Sequence, residues 1–297
     1  MSTESTTGTP GAWALPGERR STMPTPDDLA ARRAGAGAAP RPAPPPGVEV
    51  TGVRYGDVPC VVCEPPRPRG VLTYFHGGGY RLGSAAQFTP FAARLAAATG
   101  SRVVVVDYRL APEHPFPAAL HDAAGVYERV LAESGRPPVA IGDSAGGGLA
   151  AALAVACAGA KVPVPRALVL MSAWLDLRCV AGTYTSRATT DRLFSHDAAR
   201  QAAGQYLQGH DAGDPLASPL LADAASFPPT LLFASTGEVL LDDTVAMASN
   251  LARAGVPTAV RFERDVPHAW PSVFPDRPEA AAALDVIAEF VRRLDAP

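Results

Sequence analysis

A serine set between glycines, Gly142-Asp143-Ser144-Ala145-Gly146, is the group of residues whose types and spacing point most directly to covalent chemistry. In a G-x-S-x-G stretch the serine occupies a sharp strained turn between a strand and a helix. That turn lifts its hydroxyl above the sheet, and the flanking glycines remove side chains that would collide there. The context fits, because Val139 to Ile141 reads as a short buried strand and the residues after Ser144 as a helix of small side chains. A hydroxyl placed there lies at a helix N-terminus, where the dipole favours developing negative charge. Ser144 is the candidate nucleophile. A glycine-rich turn with an incidental serine is the competing reading, which the pentapeptide alone does not exclude.

A second motif weakens that competitor. His76-Gly77-Gly78-Gly79-Tyr80 follows directly on the strand-like run Val71 to Phe75. An oxyanion hole needs backbone N–H groups that a substrate oxygen can approach closely, and glycines permit the approach. The expected donors are Gly78, Gly79 and Ala145. His76 is expected to brace this loop by hydrogen bonding, since the chain order serine, acid, histidine puts the base late in the sequence. The late histidine is His268, in Asp265-Val266-Pro267-His268-Ala269-Trp270, after the strand Thr258 to Phe262. The acid should follow the strand Thr230 to Ala234, where Glu238, Asp242 and Asp243 are available. Glu238 lies at the strand exit, whereas the two aspartates begin a helix and are explained as partners of its dipole.

The remaining reactive side chains have plainer explanations. His114, His121, His196 and His210 fall in loops or on helix faces and are expected in surface or capping roles. Cys60 and Cys63 form a C-x-x-C inside the alternating run Val58 to Glu64, and Cys157 and Cys179 stand alone. Strand side chains account for the pair better than a disulfide framework or zinc site, so neither a metal nor a cofactor is expected.

The elements that must position these residues alternate. Short apolar runs, Val71 to Phe75, Arg102 to Val106, Val139 to Ile141, Ala167 to Met171, Thr230 to Ala234 and Thr258 to Phe262, are separated by helical stretches that include Phe91 to Ala98, Ala118 to Leu131 and Ala280 to Leu294. Such alternation predicts an α/β fold with a mostly parallel central sheet flanked by helices. Two alternating runs around Gly56-Asp57 predict a preceding hairpin. Residues 1–46 read as an arm plus one helix, with Thr25 as its cap, Pro26 in its first turn and Asp27 and Asp28 on its dipole. Residues 47–297 read as one domain, interrupted at about 177–229 by an insertion with a helix over Asp197 to Leu207. The insertion and the N-terminal helix are the candidates for a small helical cap over the carboxyl ends of the strands.

Composition narrows the partners. Over 297 residues the apolar share is 47%, the charged share 19% and the net charge −3, with Lys161 the single lysine. No basic field exists to collect phosphates, so neither nucleic acid nor an anionic membrane is an expected partner, and a small, largely uncharged substrate fits better. Met1 through Thr9 lacks the basic start and apolar core of a secretory signal, which reads as cytoplasmic. The uncharged run Ala145 to Ala160 falls short of the roughly 20 residues that span a bilayer, so no membrane insertion is expected.

Taken together, His76 to Tyr80, Gly142 to Gly147, the stretch Asp107-Tyr108-Arg109-Leu110-Ala111-Pro112-Glu113-His114-Pro115-Phe116-Pro117-Ala118 and Asp214-Pro215-Leu216-Ala217-Ser218-Pro219-Leu220 resemble the hormone-sensitive lipase family of esterases. The resemblance covers the chain from about Val48 onward. It implies the α/β-hydrolase fold, a two-part cap and hydrolysis of short acyl esters through an acyl-enzyme. One departure stands out: the more familiar family pattern has Asp-Pro-Leu at the acid, where this chain has Glu238-Val239-Leu240. Candidate pocket side chains are Tyr80, Phe88, Trp174, Leu193, Phe194, Tyr206 and Val239, each of which could equally be ordinary core. Two rivals are carried forward: deacylation of an amide or acetylated secondary metabolite, and a non-hydrolytic receptor or lyase built on the same fold. A homodimer through an edge strand or the last helix is compatible with the pattern.

Overall fold

One eight-stranded sheet runs through the computed structural model, which describes residues 15–38 and 42–294. The reading of Met1 through Thr9 lies outside the described residues. In chain order the strands are β1 (Glu49–Tyr55), β2 (Val58–Glu64), β3 (Val71–Phe75), β4 (Arg102–Val106), β5 (Val139–Asp143), β6 (Leu168–Met171), β7 (Thr230–Ser235) and β8 (Thr258–Glu263). Their order across the sheet is β1-β2-β4-β3-β5-β6-β7-β8. β1 and β2 form the hairpin about Gly56-Asp57, β2 pairs antiparallel with β4, and every later pairing is parallel.

The helices are α1 (Asp27–Ala38), α2 (Ala85–Thr99), α3 (Ala118–Ser134), α4 (Ala145–Ala160), α5 (Thr183–Ser186), α6 (His196–Leu207), α7 (Leu241–Arg253), α8 (Trp270–Val273) and α9 (Pro278–Leu294). Two cores form because strand side chains alternate between faces. Val104 and Val106 point into the core that holds Leu120, Leu149 and Leu153 of α3 and α4, with Leu251 of α7. Val103 and Val105 point into the core that holds Phe91 and Leu95 of α2, with Ile287 of α9. A run of four valines is thus buried on both sides, each side chain contributing about 1.5–3 kcal/mol relative to exposure.

Two local expectations change. α2 begins at Ala85, six residues before Phe91, because Ser84 caps it by accepting Gln87 N–H at 3.2 Å, and Pro90 is accommodated within the helix. Proline there removes one internal hydrogen bond, which the cap and the burial of Phe88 offset. Thr25 does not cap α1; its hydroxyl donates to the Glu113 carboxylate, a charged acceptor within reach. Cys60 and Cys63 are buried strand residues of β2, free of disulfides, and burial pushes both thiols up to about 12.

Between β6 and β7 the chain makes α5, α6 and two 3₁₀ turns, Pro219–Leu221 and Ala224–Ser226. Ser195 caps α6 by accepting Ala198 N–H at 3.2 Å, and Gln208 ends it in the left-handed conformation. The N-terminal segment is fastened to that end: Arg19 donates to the carbonyls of Leu207 and Gln208 at 3.0 and 2.9 Å, and Gln208 Oε1 accepts Thr22 N–H at 2.7 Å.

Candidate active site

Ser144 stands at the turn from β5 into α4 with φ 52° and ψ −121°, a conformation that strains any residue with a Cβ. Its backbone is held from both sides, its N–H donating to Met171 O and its carbonyl accepting from Trp174 N, each at 2.9 Å. The glycines of the motif are required by contact. A Cβ at Gly142 would lie 2.2 Å from Gly146 O, and one at Gly146 would lie 2.0 Å from Phe75 O.

His268 reaches Ser144 from the loop after β8. Its Nε2 lies 2.9 Å from Ser144 Oγ, and its Nδ1 lies 2.9 Å from Glu238 Oε2. Nδ1–H therefore donates to the carboxylate, which leaves Nε2 to accept the serine proton. Glu238 follows β7, is almost fully buried, and accepts Ser235 N–H at 3.2 Å through Oε1. The two loops are joined where Ser235 Oγ donates to Val266 O at 2.6 Å. Burial works against a charged imidazole, but the hydrogen bond and charge of Glu238 outweigh it, so the pKa of His268 is raised above 6.5. Asp242 and Asp243 point elsewhere. Asp242 accepts Thr183 N–H at 3.0 Å, and Asp243 accepts the N–H groups of Leu175 and Asp176 at 2.8 and 3.1 Å.

The loop after β3 faces the serine. His76 is buried between the rings of Tyr108 and Phe88, at 4.4 and 5.5 Å, and Nδ1–H donates to Gly77 O at 2.8 Å. Burial lowers its pKa, which keeps it neutral and suits it to bracing. Gly78 and Gly79 have φ of 123° and 62°. Among the described residues, the N–H groups of Gly78, Gly79 and Ala145 donate to no carbonyl or side chain of the protein. Asp143 emerges as a further participant: its Oδ1 accepts Gly77 N–H at 3.0 Å and the Tyr74 hydroxyl. Its position as the variable residue of the motif was the available signal.

A row of aromatic rings runs outward from His268. Phe194 lies 5.8 Å from His268, nearly parallel, and 5.6 Å from Trp174, which is 6.2 Å from Tyr80, which stacks on Tyr206 at 3.9 Å. Val239 is buried beside Glu238. Phe88 instead packs on His76 and Tyr74 behind the glycine loop, and Leu193 is 49% exposed. The other histidines serve structure: His121 Nε2 contacts Pro16 O, His196 Nε2 contacts Cys179 O, and His210 pairs with Asp214. His114 is exposed. Among the described residues no group of His, Cys, Asp and Glu converges as metal ligands would, and no helix is long and apolar enough to cross a membrane.

Comparison with known proteins gives the same fold class. A family described as alpha/beta hydrolase fold matches residues 72–272. The chain is 38% identical to an acetyl-hydrolase of Streptomyces hygroscopicus, over 84% of this chain and 83% of that protein. It is 34% identical to an esterase of Acinetobacter venetianus, over 76% and 75%. The crystal structure of a hormone-sensitive lipase from a metagenome library superposes with a TM-score of 0.84 at 31% identity, covering 90% of this chain and 92% of that one. The chain belongs to the alpha/beta hydrolase fold family. Within it, the chain is an esterase of the hormone-sensitive lipase group.

Proposed function

We propose that this carboxylesterase cleaves short-chain carboxylic esters through an acyl-enzyme on Ser144, with His268 as general base and Glu238 as the orienting acid. The observation that carries the reading is the unbroken pair of 2.9 Å hydrogen bonds running from Ser144 through His268 to Glu238. Ser144 Oγ bonds to the ester carbonyl carbon while its proton passes to His268 Nε2, and Glu238 stabilises the resulting imidazolium at Nδ1. The carbonyl electron pair moves onto oxygen, where the N–H groups of Gly78, Gly79 and Ala145 receive it. When that pair returns, the bond to the alkoxy oxygen breaks and the alcohol departs with the proton from His268. Water then attacks the acyl-enzyme by the same route, with Ser144 as leaving group. The cycle balances in protons and electrons without a metal or cofactor.

In this reading the insertion at 177–229 and the helix α1 form the cap. Tyr80, Trp174, Phe194, Tyr206 and Val239 shape the space above Ser144, with Leu193 as an outer contributor, while Phe88 braces the glycine loop from behind. The closeness of the aromatic row favours acyl groups from acetyl to hexanoyl. Rates on p-nitrophenyl acetate, butyrate and hexanoate against longer esters test this, with a steep decline expected, and efficient cleavage of emulsified triolein would overturn it. The substrate is a small molecule met in the cytoplasm. β8, an open edge of the sheet with Phe262 47% exposed, is the surface through which a homodimer would form, checked by light scattering.

A second reading, removal of an acetyl group from an amide or acylated metabolite, is favoured by the relative named as an acetyl-hydrolase. Matched acetyl esters and amides separate the two. A receptor or lyase role is disfavoured by the complete hydrogen-bonded series. Absence of Ser144 labelling by an organophosphonate would revive it.

A further inference from the structure

Three backbone groups beside Glu238 are held by side chains from the insertion. Thr190 Oγ1 donates to Gly237 O at 2.7 Å, Thr183 Oγ1 donates to Val239 O at 2.8 Å, and Asp191 Oδ2 accepts Val239 N–H at 3.0 Å. The other oxygen of Asp191, Oδ1, accepts the N–H groups of Leu193 and Phe194, each at 3.0 Å. That turn fixes the Phe194 ring 5.8 Å from His268 and nearly parallel to it. One half-buried carboxylate thus grips both the cover of the base and the loop of the acid.

We propose that Asp191 is a positioning residue that holds Phe194 against His268 and keeps the Glu238 loop in register with the imidazole. The inference rests on the reading of Ser144, His268 and Glu238 as the reacting series. Only a carboxylate accepts on both oxygens, so an amide at this place turns an NH₂ toward one set of N–H donors whichever way it lies. The charged groups that act on His268 are Glu238 from the loop after β7, Asp191 from the insertion and Asp143 from the end of β5, and all favour the imidazolium. Asp191 is therefore tied to the base by charge as well as by shape.

The test uses the full chain with Asp191→Asn, p-nitrophenyl acetate as substrate and an organophosphonate to count active sites. The expected result is a loss of kcat per titrated site on the order of 10- to 100-fold, as small misplacements produce. The acidic limb of kcat/KM should also move to lower pH, since the imidazolium loses a nearby negative charge. A merely structural role would lower the melting temperature and the titrated fraction while leaving that limb in place. Asp197→Asn, on the exposed first turn of α6, should change neither. Wild-type kcat per site and an unmoved limb in Asp191→Asn would overturn the proposal. If that variant does not fold, Thr190→Ala decides, because its side chain is exposed: a several-fold loss of kcat at constant KM supports the assignment, and an unchanged kcat rejects it. Failure of the phosphonate to label wild-type Ser144 would reject the underlying series and this proposal with it. A labelled wild type with an unmoved Asp191→Asn rejects Asp191 alone.

Discussion

Asp143 Oδ1 and the backbone N–H of Gly77 meet at 3.0 Å, joining the residue before the nucleophile to the loop that carries the proposed oxyanion donors. The same oxygen accepts the Tyr74 hydroxyl, and burial pushes the Asp143 carboxyl up to about 6. Asp143→Ala would leave both donors buried without an acceptor, at a cost of about 1–3 kcal/mol each. Displacement of Gly77 should also lower kcat by roughly 10²-fold. Asp143→Asn keeps one oxygen able to accept both donors and should retain most of the stability. Thermal melts with rates on p-nitrophenyl acetate check this. An Ala variant as active and stable as the Asn variant would show that the loop needs no such anchor.

Ser144→Ala and His268→Ala should each remove more than about 10³-fold of the turnover while leaving the fold intact, because nucleophile and base act as a unit. Residual activity above about 1% in either variant would refute the assignment. His114→Ala and His121→Ala should stay within roughly tenfold of wild type, since general-base losses are larger. The pH profile offers a further check. With His268 as the proposed base, turnover requires its neutral form, so its raised pKa predicts that activity is lost as pH falls through a value above the ordinary histidine range.

The acid is distinguished by what each carboxylate touches. Glu238 Oε2 lies 2.9 Å from His268 Nδ1, whereas Asp242 accepts Thr183 N–H at 3.0 Å. Glu238→Gln should lower kcat by about 10³ to 10⁴ with little change in melting temperature, as when an imidazole loses its orienting charge. Asp242→Asn should cost up to about 1 kcal/mol of stability and little of the rate. The reverse pattern would move the acid to Asp242.

Much of this site is legible in the sequence where short-range geometry dictates residue type. The turn at Ser144 demands glycine at 142 and 146, because carbonyl oxygens lie where a Cβ would stand. The four valines of β4 announce a strand covered on both faces. His268 and Glu238 follow from the positions that strand ends offer. What escaped is set by contacts between distant segments. Asp191 reaches Val239 across 48 residues, and no periodicity marks a surface-like aspartate as the holder of another loop. Phe88 has the apolar character of a pocket residue, yet its helix turns it toward His76 and Tyr74. Thr25 has the sequence of a cap, but the nearby Glu113 carboxylate takes its hydroxyl.

Asp243 gives a prediction about stability rather than rate. It is buried, and a single oxygen, Oδ2, accepts the N–H groups of Leu175 and Asp176 at 2.8 and 3.1 Å. Burial pushes its pKa from 3.8 up to about 7, against the pull of those hydrogen bonds. Between these values the unfolded chain has released the proton while the folded chain still holds it. The unfolded state therefore binds fewer protons, and this carboxyl makes stability fall as pH rises through the window, with the full penalty persisting above it. Asp143, raised to about 6, acts in the same sense over the lower part of that range. Asparagine at 243 retains one oxygen for both N–H donors and carries no charge at any pH. Asp243→Asn should match wild type near pH 4 and exceed it near pH 8, the gain being on the order of a few kcal/mol at most. Thermal melts of the two proteins across that range check the sign. A variant that is less stable than wild type near pH 8 would mean that the folded protein favours an ionised carboxylate at this position and would reverse the argument.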